Sequence, residues 1–170
     1  MAQADRRREP LAVCCAVPTA YGLCRGGIDG ALCKDRSVVE PLRVVAAAIL
    51  DGRRVLLVSK RAAPDVFYLP GGKPDAGEPP LATLARELGE ELGVTLVDSE
   101  PLAVVSDQAA LERTPMEMHV YLATVAGEVT PLAEIEAVAW VGADGASPGI
   151  LAPAIRNYVL PQLTARRLIA

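Results

Sequence analysis

Between Gly72 and Val94 the chain reads GKPDAGEPPLATLARELGEELGV, and its glycine and charged positions fall at spacings that metal-assisted phosphate chemistry can use. Gly72 is followed after five residues by Glu78, then after seven more by Arg86, Glu87, Leu88, Glu90, Glu91, Gly93 and Val94. On a helix Glu87, Glu90 and Glu91 stand at i, i+3 and i+4, so their carboxylates share one face. Such a trio taken alone is commonly a solvated face with mutually repelling charges. The full pattern is not common. With each residue type filling roughly one position in fifteen, seven identities at set spacings arise at well below about one in a million start points. Hard oxygen ligands of this kind suit Mg²⁺ or Mn²⁺, and Mg²⁺ usually completes its shell with water and substrate phosphate oxygens. The chemistry on offer is neutralising and orienting a diphosphate, and acidifying a water so that a neighbouring carboxylate can deprotonate it.

These residues need a helix and a turn to position them. From Pro79 to Leu92 the apolar residues Leu81, Leu84, Ala85, Leu88 and Leu92 recur every three or four positions, the period of an amphipathic helix. Pro79 and Pro80 suit a first turn, Glu78 lies at the positive end of the helix dipole, and Gly93 is a C-terminal stop. Ahead of it, Leu69 to Pro74 reads as a turn. Further upstream, Arg43–Leu50 and Arg53–Ser59 are β-rich runs joined by Asp51-Gly52, which predicts a tight hairpin with both central residues at positive φ. Pro101–Ser106, Met118–Val125 and Ala137–Val141 read as strands. Ile150–Leu163 reads as a helix with Leu151, Ile155, Tyr158 and Val159 on its inner face, Pro153 in its first turn and Pro161 closing it. Strands interleaved with two helices indicate a layered α/β fold.

The stretch from Gly72 to Val94 resembles the signature box of the Nudix hydrolase family, with no departures. The resemblance implies an α/β/α sandwich with a mixed β-sheet, with residues 41–164 as the domain and 165–170 as a C-terminal tail. It implies catalytic roles for Glu87, Glu90 and Arg86, with either glutamate as the general base. For the metal it implies the carboxylates of Glu87, Glu90 and Glu91 and the carbonyl of Gly71, joined by Glu134, six residues before Trp140. Glu112, Glu117 and Glu136 compete with Glu134 for that last role. Gly72, Glu78 and Gly93 support the box, Glu78 and Arg86 holding loop and helix in register. Arg61, Phe67, Tyr68 and Lys73 are candidate substrate contacts, Phe67 and Tyr68 by stacking on a base, with core packing as the alternative for both aromatics. Lys60 flanks the same phosphate end, and a solvated surface position suits it equally. The lone His119 cannot build a triad or a zinc site and is read as packed or at an edge.

The implied activity is hydrolysis of a nucleoside diphosphate linked to another moiety, with Mg²⁺ or Mn²⁺ as cofactor. Family members acting on ADP-ribose tend to carry a proline about fifteen residues after the box, and here position 109 is alanine. The tyrosine associated with dinucleoside polyphosphates is also unmatched. The expectation is a nucleoside triphosphate pyrophosphohydrolase, with oxidised or non-standard nucleotides among its candidate substrates, releasing a nucleoside monophosphate and pyrophosphate. The alternatives are an ADP-ribose or other nucleotide-sugar pyrophosphatase and, in another class, a non-catalytic nucleotide sensor. Sensors of that kind commonly lose box carboxylates, and none is missing here.

Composition sets the surroundings. A chain of 170 residues with 51% hydrophobic content suffices for one well-cored domain. No apolar run approaches the roughly 20 residues that span a bilayer, so a cytoplasmic protein is expected. A net charge of −4 argues against a long polyanionic partner such as duplex DNA, leaving a small nucleotide as the expected partner. A homodimer is compatible with the sequence, which does not fix the oligomeric state. Residues 1–40 hold all four cysteines, Cys14, Cys15, Cys24 and Cys33, without the paired spacing of zinc sites. They also hold the basic cluster Arg6-Arg7-Arg8 and show no sustained period, so this segment is expected to be a disordered extension or sequence upstream of a true start near Val38 or Val39.

Overall fold

The structure, a computed structural model, describes residues 40–170. The expectations for the four cysteines, the basic cluster and the extension that carries them lie outside the described residues. The hairpin forms one residue later than its dipeptide suggests. Strands β1 (Leu42–Asp51) and β2 (Arg54–Lys60) pair at Leu50–Val55 and Asp51–Arg54, leaving Gly52 and Arg53 as the loop. Of the two only Gly52 takes a positive φ, 60°, as a II′ turn requires of its first central residue. Asp51 stays in the strand and faces Arg54 at 3.6 Å.

Beyond this tip the two strands diverge, and each becomes the middle of its own half of the sheet. β1 lies between β6 (Pro115–Ala126), which it pairs in parallel, and β4 (Gly71–Gly72), while β5 (Thr95–Gln108) flanks β6 antiparallel. β2 lies between β7 (Ile135–Val141) and β3 (Ala63–Tyr68), both antiparallel, and β8 (Ile150–Leu151) adds in parallel to β3. Among the described residues this makes one mixed sheet of eight strands.

Both faces are covered. Val45, Ala47, Ile49, Leu56 and Val58 pack on Leu84, Leu88 and Leu92 of helix α1 (Pro80–Leu92). Ala46, Ala48, Val55 and Leu57 face Ile155, Val159 and Leu163 on the other side. Consequently Val45–Ile49 and Val55–Ser59 are buried without alternation, the pattern of strands enclosed on two sides. The expected α/β/α sandwich is what forms.

The departures from the sequence reading have local causes. β5 runs fourteen residues instead of stopping at Pro101–Ser106, because an edge strand keeps polar residues, and it absorbs Pro101 at one of two register shifts. β3 went unread because Pro64 and Asp65 punctuate it. The second helix starts later than Ile150: Ile150 and Leu151 go to β8, and a π-helical turn, Ile155–Val159, runs into α2 (Leu160–Ala165). Pro161 therefore lies inside the helical stretch and does not close it. Its missing N–H would orphan the Asn157 carbonyl of a regular ladder, and a widened turn, closed by the Leu160 N–H on the Ile155 carbonyl, accommodates it. The turn also rotates Tyr158 outward, to 47% exposure. Residues 165–170 are no loose tail. Ile169 is buried, and Ala170 donates to the Arg53 carbonyl and accepts from the Ala143 N–H, each at 3.0 Å.

Candidate active site

The box is held between β1 and α1. Pro70 accepts a hydrogen bond from the Ala47 N–H at 2.9 Å, and Gly71–Gly72 pair with Ala46 and Val45. Gly71 has φ 136°, and a Cβ there would land on the Val45 carbonyl and the Ala46 Cα, so no other residue fits. At Gly72 a Cβ would land on the Glu87 carboxylate. The two glycines thus let the loop lie directly against both the sheet and the helix face that carries the glutamates. α1 begins after Pro79, which is extended, with Pro80 in the first turn. It ends where Gly93 takes the left-handed conformation and Gly93 and Val94 donate to the Gly89 and Leu88 carbonyls, the C-terminal stop read from the sequence.

Arg86 ties loop to helix. Its guanidinium donates to both Glu78 oxygens, Nε at 3.0 Å and Nη2 at 2.9 Å. Nη1 reaches Glu87 Oε1 at 2.9 Å and Glu90 Oε2 at 3.4 Å, and Nη2 also reaches the Lys73 carbonyl at 3.3 Å. Glu78 accepts further from the Asp75 N–H and the Thr83 hydroxyl. The Arg86 fork, with the Asp75 N–H and Thr83, holds the Glu78 carboxyl down to about 2.

The three helix glutamates share one side of α1 but not one environment. Glu90 is exposed, Glu87 is half-buried beside Gly72, and Glu91 is 1% exposed. Glu91 Oε2 accepts the Gly71 N–H at 2.9 Å. Its Oε1 lies 3.1 Å from Lys60 Nζ, an ion-pair distance without hydrogen-bond geometry, and has no other partner. Burial pushes the Glu91 carboxyl up, against the pull of the Gly71 N–H and Lys60. Lys60 also donates to Glu134 Oε1 at 2.9 Å. Burial alone would lower the Lys60 ammonium, but Glu134 and Glu91 outweigh it and hold it above its ordinary value. The same contact pulls the Glu134 carboxyl down.

Among the described residues no three His, Cys, Asp or Glu side chains stand close enough together to hold a metal as they are. Arg86 engages Glu87 and Glu90, and Lys60 engages Glu91 and Glu134. The candidate donors nonetheless suit a hard divalent cation: all are oxygens, and one, on Glu91, is buried without a hydrogen bond.

A cleft of about 390 Å³ opens beside the box. Its lining is mixed: Lys60, Lys73, Asp75, Arg86, Glu87, Glu112 and Glu134 bring charge, and Val44, Tyr68, Leu111, Met116, Met118 and Ile155 bring apolar surface. Of the candidate substrate contacts, Lys73 and Tyr68 line it, Lys73 while paired to Glu112 at 3.0 Å. The Tyr68 hydroxyl is buried without a partner, and burial pushes the phenol up to about 12. Phe67 points the other way and is 3% exposed in the core, and Arg61 is exposed near Glu136, so neither lines the cleft. Strand alternation separates them, since consecutive residues of β3 face opposite sides. Met116, Met118 and Ile155 were missed as cleft residues; only the register of β6 on β1 and the π turn bring them there. His119 alternates away from the two methionines and pairs with Glu117 at 2.9 Å.

A fold of this topology, with a box helix clamped to a diglycine turn beside a nucleotide-sized cleft, is that of the Nudix hydrolases. The NUDIX domain family matches residues 40–162, and the chain belongs to that family. It is a hydrolase of phosphoric anhydride bonds in nucleoside diphosphate-linked compounds, and enzymes of this family use divalent metal ions. A Mycobacterium tuberculosis protein named "Putative 8-oxo-dGTP diphosphatase 2" is 35% identical over 119 residues, covering 68% of this chain and 84% of that protein. Among solved structures, a MutT NUDIX hydrolase from Burkholderia pseudomallei is 34% identical with a TM-score of 0.64, covering 73% of this chain and 98% of its own. The E. coli ORF135 protein is 26% identical with a TM-score of 0.61, covering 74% and 89%.

Proposed function

We propose that this Nudix hydrolase is a Mg²⁺-dependent nucleoside triphosphate pyrophosphohydrolase that acts on oxidised or non-standard nucleotides. The observation that carries the reading is the mixed lining of one cleft, in which apolar residues (Val44, Tyr68, Leu111, Met116 and Met118) suited to a base share the walls with the charged box residues suited to phosphates. The 35% identical relative named as an 8-oxo-dGTP diphosphatase supports the same substrate class.

Glu87, Glu90, Glu91, Glu134 and the Gly71 carbonyl would hold the divalent cation, which would supply charge neutralisation for the diphosphate and acidify the attacking water. The chain's own groups do the rest. Lys73, on the cleft wall, draws in phosphate oxygens on exchanging its contact with Glu112. Tyr68 offers a ring face to the base. Arg86, fixed by Glu78, aims Glu87 and Glu90, one of which accepts the water proton. Water oxygen bonds to phosphorus, the P–O–P bridge breaks, and pyrophosphate leaves from the nucleoside monophosphate. The reading needs no polymer and no membrane partner, and it places the enzyme in the cytoplasm with the nucleotide pool; among the described residues no helix is long and apolar enough to cross a membrane.

The test is product analysis across nucleoside triphosphates, oxidised guanine nucleotides, ADP-ribose and nucleotide sugars with Mg²⁺. Pyrophosphate and monophosphate from a triphosphate, in preference to all others, is expected. Preferential release of a sugar phosphate would replace the reading with the nucleotide-sugar one.

A further inference from the structure

We propose that Lys60 is an internal counter-ion for the metal site: its ammonium neutralises Glu91 and Glu134 in the metal-free enzyme and is displaced when a divalent cation binds. The inference rests on the assignment of Glu91 and Glu134 as metal ligands. Three observations lead to it. Lys60 Nζ lies 3.1 Å from Glu91 Oε1 and 2.9 Å from Glu134 Oε1, so one ammonium bridges two carboxylates from distant parts of the chain. Glu91 Oε2 is already committed to the Gly71 N–H, which leaves Oε1 as the oxygen that both Lys60 and a metal would use. Lys60 is 22% exposed and lines the cleft, so it has somewhere to go.

The two cations cannot share that oxygen at their present distances. A magnesium ion sits about 2.1 Å from a ligand oxygen, which would place it within about 5 Å of an ammonium at the Lys60 position. A dication and an ammonium that close repel strongly in a poorly solvated cleft. The ammonium must move, and Lys60 already lines the cleft together with the charged box residues that suit the phosphates. Displaced, Lys60 becomes available to a phosphate oxygen, so metal arrival would free a substrate contact.

The test measures Mn²⁺ affinity by electron paramagnetic resonance in the full-length wild type, K60M, K60R and E91Q. K60M is expected to bind Mn²⁺ roughly tenfold more tightly, because the competing charge is gone, with K60R close to wild type and E91Q weakened. Unchanged or weaker binding by K60M, with E91Q weakened, overturns the exchange while leaving the ligand assignment intact. Wild-type affinity in E91Q overturns the assignment, and the inference with it. A second measurement does not depend on the folding of K60M. The chain has three lysines, Lys34, Lys60 and Lys73, so the Lys60 ammonium can be followed by nitrogen-15 NMR of the wild type and assigned by its loss in K60R. On saturation with Mg²⁺ its signal should move toward that of a solvent-exposed lysine, and a signal that does not move overturns the proposal.

Discussion

At the scale of single residues the site divides its work between charge and shape. Glu87→Gln and Glu91→Gln change charge with almost no change of volume, so each should lower turnover by about two to four orders of magnitude while circular dichroism stays native. Near wild-type turnover in both would remove the box from the chemistry. Gly71→Ala tests shape. With φ 136° and the Val45 carbonyl in the way, the added methyl should cost on the order of 3 kcal/mol in urea unfolding, and should lower turnover by shifting the loop that carries the carbonyl proposed to hold the metal. A fully stable Gly71→Ala protein would show that the diglycine turn lies differently. The identities of these residues were legible in the sequence because their spacing is rigid. The Lys60 bridge was not, since Lys60 stands 31 positions before Glu91 and 74 before Glu134, and no local pattern links it to either.

At the scale of elements, α1 and its preceding loop behave as one unit because Glu78 and Arg86 bolt them together. The Glu78 carboxyl is held down to about 2, below the ordinary 4.5 of an unfolded chain. Its contribution to stability is therefore fully present above pH 4.5 and lost as pH falls toward 2. In urea unfolding from pH 7 to pH 3, Glu78→Gln should be less stable than wild type at neutral pH, and the gap should narrow as pH drops; a gap independent of pH would show that the Arg86 fork does not set it. α1 itself was readable, start and stop, because its apolar period, its prolines and Gly93 all act within the helix. The C-terminal helical stretch was not. Its π turn answers to Pro161 and to packing on Ala46 and Leu57, and Ile150 and Leu151 were taken into the sheet by pairing with Val66 and Phe67. The parallel pairing of β1 with β6 was likewise invisible, since it joins segments separated by the whole box.

At the scale of the whole molecule the described residues and the family match nearly coincide, 40–170 and 40–162. The box, Gly72 to Val94, falls within both. A protein beginning at Val38 should therefore retain turnover within about twofold of the full chain, measured on the same substrate panel; a folded but inactive truncation would give the first residues a role in the site. The net charge of −4 has a further effect on association at this scale. Under the proposed function the metal would offset the repulsion between this chain and a polyanionic substrate, so turnover should depend on Mg²⁺ more steeply than on ionic strength.

The apolar residues of the cleft have a consequence under the proposed function. Met116 and Met118 stand on its wall, Met116 half-buried and Met118 only 5% exposed, and a thioether that oxidants reach becomes a polar sulfoxide. For an enzyme that acts on oxidised nucleotides, oxidant exposure that damages the nucleotide pool would also roughen the surface that meets the base, first at Met116. Catalytic capacity would then fall as demand for it rises, and would recover at the pace of methionine sulfoxide reduction.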